Sequence, residues 1–319
     1  MEKSVILNLV WKECKDDWIG VSGVDFSPDG KYLAIACYYK HTVELVSTRD
    51  GSRIWRRTLR SSLYADPCVV AYSPDGRYLA IASEDRKDAL QLLRAEDGNT
   101  VWSIDDYEGA LDVAFSPDGR YLAVAHFYDR TVRLLSPLNG SEVWEAKDLD
   151  GAWPYSIDYS ADGKYIAVAT MYNNGVELLD AEDGSRIWRV DRPYEHYTYS
   201  VAISFDNKYL AVVSSRNRIN ILEVLDATTG STLWTKRLSL RTTFRFGTNC
   251  VAFSPDGSLL AVAADRVLSV LDPEEGSVLW REVDSDYVGA CSLAFSQDGR
   301  YLAVASENSD VVSLLKVEK

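Results

Sequence analysis

Residues 26–36 read FSPDGKYLAIA. The phrase returns six more times: YSPDGRYLAIA at 72–82, FSPDGRYLAVA at 115–125, YSADGKYIAVA at 159–169, ISFDNKYLAVV at 203–213, FSPDGSLLAVA at 253–263 and FSQDGRYLAVA at 295–305. Its aspartates, from Asp29 to Asp298, stand 46, 43, 44, 44, 50 and 42 residues apart. The turn in its middle has a mechanism. Proline presets φ at the second position, aspartate bonds its own backbone, and glycine accepts a positive φ. Asn207, which replaces that glycine once, is the next most tolerant residue for such a conformation. A second phrase follows six of the seven copies: STRDGSRIW, RAEDGNTVW, SPLNGSEVW, DAEDGSRIW, DATTGSTLW and DPEEGSVLW.

Apolar runs flank the first turn, as the strands of a hairpin require. A third run follows at 43–46, 132–135 and 176–179, and a fourth ends in tryptophan. Four short strands per unit, repeated, predict a β-propeller blade. Both faces of a blade pack on neighbours, so pairs such as Ile54-Trp55 and Val143-Trp144 are expected to bury large residues on opposite faces. The seventh unit ends at Lys319 after three strands, and Trp11 near the amino end supplies the missing one. The expected fold is all-β: a seven-bladed β-propeller with four antiparallel strands per blade. One domain is expected over 1–319, its N-terminal strand (about 4–12) completing the last blade (about 288–319) and removing an open sheet edge.

The FSPDGRYLA hairpin resembles the repeat of the WD-repeat (WD40) superfamily over all seven units. Two features depart from it. Leu45-Val46, Leu134-Leu135 and Leu178-Leu179 stand where that family often has Leu-Trp-Asp. The family's Gly-His pair before the inner strand is missing, so its Asp-His-Ser-Trp network is not carried over. The second phrase, LLDAEDGSRIW at 178–188, resembles instead the repeat of quinoprotein (PQQ) propellers. The first resemblance implies a non-enzymatic protein- or peptide-binding scaffold. The second implies the alternative, a propeller enzyme binding a small molecule at the central channel, a class normally exported and assisted by a metal. Fold alone does not choose between them.

The chain has 319 residues with 34 basic and 48 acidic side chains, a formal net charge of −14. That balance argues against a nucleic-acid backbone or an anionic membrane as partner and favours a protein or peptide with a basic segment. No stretch approaches a membrane span. Five cysteines without a CxxC pair indicate neither a zinc site nor a disulfide frame. The opening run MEKSVILNLVWKECKDDW is too short and too soon interrupted for a signal peptide, so a cytoplasmic location is expected. Few Met and His with many charges point to a thermophilic source. His41, His126 and His196 lie in different units without metal-ligand spacing, and no GxSxG, GxGxxG or phosphate-cradling loop is present. No cofactor, no metal and no catalytic residue are expected, and a monomeric propeller is.

The repeated residues read as framework: the tryptophans as inter-blade packing, the turn aspartates as turn chemistry rather than calcium ligands. Function is expected where the repeat breaks, on the face carrying the loops after each second and fourth strand. Four loops carry an aromatic eight residues before the anchor, Trp18, Tyr64, Tyr107 and Tyr287, a regularity that reads as loop packing. The loops before units 4, 5 and 6 break that register with Trp153 and Tyr155, then Tyr194, His196 and Tyr197, then Arg241, Phe244, Arg245 and Phe246; unit 5 adds Arg216 and Arg218. Aromatic and arginine side chains are what binding hot spots favour. A recognition surface on the loop face of blades 4–6 is therefore expected. A weaker expectation is an aromatic rim that adds Tyr38-Tyr39, Phe127-Tyr128 and Met171-Tyr172. Asp25 and Asp158 interrupt a column otherwise alanine; they line a wet channel or, the preferred reading, pair with a neighbouring blade's Arg or Lys.

Overall fold

The computed structural model describes residues 5–13, 20–59, 67–83, 89–105, 109–147, 149, 151–171, 175–191, 196–216, 219–239, 250–264, 266–287 and 289–319, without the side chains at 67, 68, 196, 216 and 239. These residues form seven four-stranded antiparallel sheets. Blade 1 runs through β2 (Val21–Phe26), β3 (Tyr32–Cys37), β4 (Thr42–Ser47) and β5 (Arg53–Thr58). Blades 2 to 6 repeat this order over 67–104, 110–146, 153–191, 196–239 and 251–283. The last sheet is β26 (Ala290–Phe295), β27 (Tyr301–Ser306) and β28 (Val311–Glu318), completed by β1 (Ile6–Glu13). β1 pairs antiparallel with β28, Ile6 opposite Glu318 and Asn8 opposite Lys316, with a bulge between Leu9 and Trp11. The innermost strands of neighbouring blades pack on one another around the ring, β26 against β2. The two chain ends therefore close the circle in the expected place. Among the described residues, no helix is long and apolar enough to cross a membrane.

The turn chemistry is as the sequence predicts. Gly30 N donates to Ser27 O at 2.8 Å, Ser27 Oγ to Asp29 Oδ1 at 2.7 Å, and Lys31 N to the same carboxylate at 3.1 Å. The serine–aspartate bond recurs in all seven hairpins. Asn207 adopts φ +59° and does something glycine cannot: its Oδ1 accepts Ala161 N from the previous blade at 2.8 Å.

Each second strand is a wall of small and branched apolar residues. Leu33 and Ile35 of blade 1 and Leu79 and Ile81 of blade 2 are buried with the alanines between them. Full burial of each such large side chain stabilises by about 1.5–3 kcal/mol. The tryptophans clasp neighbouring blades. Among the described residues, six indole N–H groups donate to a backbone carbonyl of the next blade at 2.8–3.1 Å, from Trp11 to Thr48 and so on to Trp234 and Pro273. The second-phrase glycine lies beneath the ring: a Cβ on Gly184 would stand 2.8 Å from Trp144.

The outermost strand differs from expectation. Its tryptophan is part-buried, but Ile54, Val101, Val143, Ile187 and Leu233 just before it are exposed. Blades splay apart with distance from the axis, so the neighbour no longer covers that face.

Candidate functional site: an aromatic surface on the loop face

Antiparallel order puts the first-to-second and third-to-fourth connections of every blade on one face, the turn face. The remaining connections share the opposite loop face. On the loop face, blades 3, 4 and 5 bring six aromatic side chains together. Phe127 lies 4.6 Å, ring centre to ring centre, from Trp153 and 5.3 Å from Tyr128, both edge-on. Tyr128 approaches Trp153 at 6.4 Å. Tyr155 connects Phe127 to Tyr199, and Tyr199 stacks on Tyr197 at an interplanar angle of 24°. Edge-to-face and offset pairs at these separations are favourable beyond the area they bury, by about 0.5–1.5 kcal/mol each. The Arg130 guanidinium caps the cluster, 4.9 Å from the Trp153 ring centre. Arg130 holds φ +61°, a strained value for a residue with a side chain, in the tight turn after Asp129.

Strands, rather than loops, carry much of this surface. Residues 153–155 and 196–199, read from sequence as loops, belong to the long inner strands β14 (Trp153–Tyr159) and β18 (His196–Ile203). His196 pairs with Arg216 at the end of β19 (Tyr209–Arg216), so both expected site residues sit on a rigid hairpin. Of the predicted residues, Trp153 and Tyr197 face the surface half-buried. Tyr155 does not: it is 4% exposed and packs into the core beneath, a support for the surface. Of the residues in the weaker rim reading, Phe127, Tyr38 and Met171 are part-buried against the same core cluster, while Tyr39 and Tyr128 are exposed. Tyr194, Arg218, Arg241, Phe244, Arg245 and Phe246 lie outside the described residues, as do Trp18, Tyr64 and Tyr107. Tyr287 is 5% exposed and its hydroxyl donates to Glu282 at 2.8 Å, which bears out loop packing at that position.

The inner strands also carry acids. Asp25 and Asp158 have no basic partner among the described residues, which corrects the preferred reading. Asp25 instead accepts Phe26 N at 2.8 Å and, from the next blade, Tyr72 N at 2.7 Å. Asp158 accepts Ile203 N of the next blade at 2.7 Å. Asp112 makes the same bridge to Ile157 N at 2.9 Å. The sequence reading missed Asp112 because it stands three residues before its anchor, outside the alanine column. These carboxylates cap edge N–H groups of the following innermost strand, which no other strand reaches. Burial outweighs those hydrogen bonds and pushes all three carboxyls up to about 7. Among the described residues, no group of three His, Cys, Asp or Glu is placed to hold a metal ion.

Three comparisons bear on this arrangement. No protein with a curated description matches the chain. Among solved structures, a chain of Kuenenia stuttgartiensis hydrazine synthase superposes with a TM-score of 0.77 at 20% identity, over 95% of this chain and 97% of that one. That likeness is one of fold. A family model described as outer membrane protein assembly factor BamB, built on PQQ-type repeats, matches residues 8–152 and 172–316. Those two segments take in most of the ring, on the quinoprotein side of the two resemblances, and the chain belongs to this PQQ-repeat propeller family.

Proposed function

We propose that this propeller is a non-enzymatic docking scaffold that holds a protein or peptide partner on the loop-face aromatic surface of blades 3–5. The observation that carries the reading is the contiguous cluster of Phe127, Tyr128, Trp153 and Tyr197 on short turns and extended strands. Rigid aromatic anchors lose little conformational entropy on binding and dominate interface energetics. The family description, an assembly factor, supports protein docking over catalysis. The net charge of −14 favours a partner segment with basic residues.

The reading is tested by a photo-crosslinking residue at Tyr128, 46% exposed on the loop face, against one at Leu138, 88% exposed on the turn face. In host extract the first is expected to give a discrete adduct with a partner, and the second none. Trp153→Ala is expected to lower that adduct at least tenfold while the protein stays folded. Equal labelling from the two positions would refute the assignment.

A further inference from the structure

The residue just ahead of the anchor is Ala71, Ala114, Ala202, Ala252 or Ala294 in five blades, but Asp25 in blade 1 and Asp158 in blade 4. Five alanines mean that the fold does not require an acid here. Both acids line a cavity of about 500 Å³ at the turn-face end of the channel. The rest of its wall is largely rings, including Phe26, Tyr72, Phe253, Phe295 and the prolines of four hairpin turns. Phe205 takes proline's place in blade 5 and is 57% exposed at the mouth. Blades 1 and 4 are three steps apart in a ring of seven, so the two carboxyls approach from nearly opposite sides. Cations of the turn face are engaged within their own hairpins: Lys31 with Asp29, Arg77 with Asp75 and Lys164 with Asp162. Desolvated carboxylates without a counter-charge are costly. A cation from outside would supply what the described residues do not.

We infer that the turn-face mouth of the channel binds an organic ammonium ion, a primary amine on an apolar stem. The backbone N–H bonds to Asp25 and Asp158 fix both carboxylates and leave each oxygen a second lone pair for the ammonium. The stem lies along the aromatic and proline rings, and the charge gains from the aromatic faces. A free alkylamine and a lysine side chain share this chemistry.

Calorimetric titration with n-hexylammonium, hexanol and hexanoate at pH 8 tests the site, with N-acetyl-lysine amide as a fourth probe. n-Hexylammonium is expected to bind at least tenfold tighter than hexanol, and hexanoate not to bind. The tighter of n-hexylammonium and the lysine amide identifies the source of the amine. Asp25→Ala with Asp158→Ala, each the repeat's own residue, is expected to abolish the preference for the cation. The wild-type protein gives an independent reading. Its affinity for n-hexylammonium is expected to fall as pH drops from 8 to 5, because both carboxyls take up protons near pH 7. Asp112 near Asp158 changes charge over the same range and with the same sign, so the double substitution, which leaves Asp112 in place, separates its contribution. The Tyr72 phenol beside Asp25 is pushed further up by burial and stays neutral in this range, and Asp112 is held up by burial and, in smaller part, by the Asp158 charge. Equal binding of n-hexylammonium and hexanol, or a preference that survives the double substitution or does not change with pH, would overturn the inference.

Discussion

Asp25, Asp112 and Asp158 show how one residue can tie two blades together and make stability depend on pH. Their carboxyls rise from 3.8 to about 7 because burial penalises the charged form more than the N–H donors reward it. Between those values the folded protein holds protons that the unfolded chain has lost, so stability falls as pH rises from about 4 to about 7. The slope approaches about 1.4 kcal/mol per pH unit for each group. The turn aspartates act in the opposite sense: hydrogen bonds and lysine or arginine partners hold Asp75, Asp118 and Asp162 low, and that stabilisation is lost below pH 4. Urea unfolding of Asp25→Ala/Asp158→Ala at pH 4.5, 6 and 8 is expected to show a shallower decline than the wild type; an unchanged slope would contradict the assignment. Gly184 is a second residue-scale case. Its φ of +74° and the Trp144 ring against it exclude a side chain, so Gly184→Ala is expected to cost about 1–3 kcal/mol in thermal or urea unfolding.

Between elements, the third and fourth strands of blades 1, 3 and 4 are joined by ion pairs, with the acid on the third strand in two of these blades and the base there in the other. Glu44 of blade 1 is buried against Arg53 at 2.7 Å and Arg56 at 3.5 Å, and Glu177 of blade 4 against Arg186 and Arg189. Blade 3 inverts the arrangement, with Arg133 facing Glu142 and Glu145. Glu44→Arg alone places three like charges together and is expected to cost about 3–5 kcal/mol. Adding Arg53→Glu and Arg56→Glu, which reproduces the two fourth-strand glutamates of blade 3 though not its Asp129, is expected to recover most of it in thermal unfolding. Failure of the triple variant to recover would mean that the pairing is not exchangeable. The hairpins were legible because Ser-Pro-Asp-Gly encodes its own turn. The aromatic surface was only half legible: Trp153 and Tyr197 stood out as departures from the repeat, yet strand extension through 153–155 and 196–199 was hidden. Non-periodic residues such as Trp-Pro-Tyr and His-Tyr-Thr-Tyr read locally as loop, and only pairing with 169–171 and 214–216 makes them strand.

At the scale of the whole molecule, closure of the ring defines two different ends of one channel. The loop-face end is crowded by Tyr38, Phe127, Tyr155 and Tyr199, while the turn-face end opens into the cavity with Asp25 and Asp158. Seven units and a spare tryptophan strand made the ring countable from sequence. The turn-face mouth was not, because the residues that line it belong to seven separate hairpins and look like framework one at a time. Phe205 is the clearest case, a single exchange for proline that only the ring turns into part of a mouth. Closure rests on β1 lying beside β28, with Asn8 directly opposite Lys316. The decisive measurement is disulfide formation by Asn8→Cys with Lys316→Cys, in a background of Cys14→Ser and Cys68→Ser; Cys37, Cys250 and Cys291 are buried. The account predicts a bond under mild oxidation, a higher unfolding temperature, and no bond for Asn8→Cys with Glu318→Cys, two residues out of register. No bond at 8–316, or a bond that leaves unfolding unchanged, would contradict a ring shut by the amino-terminal strand.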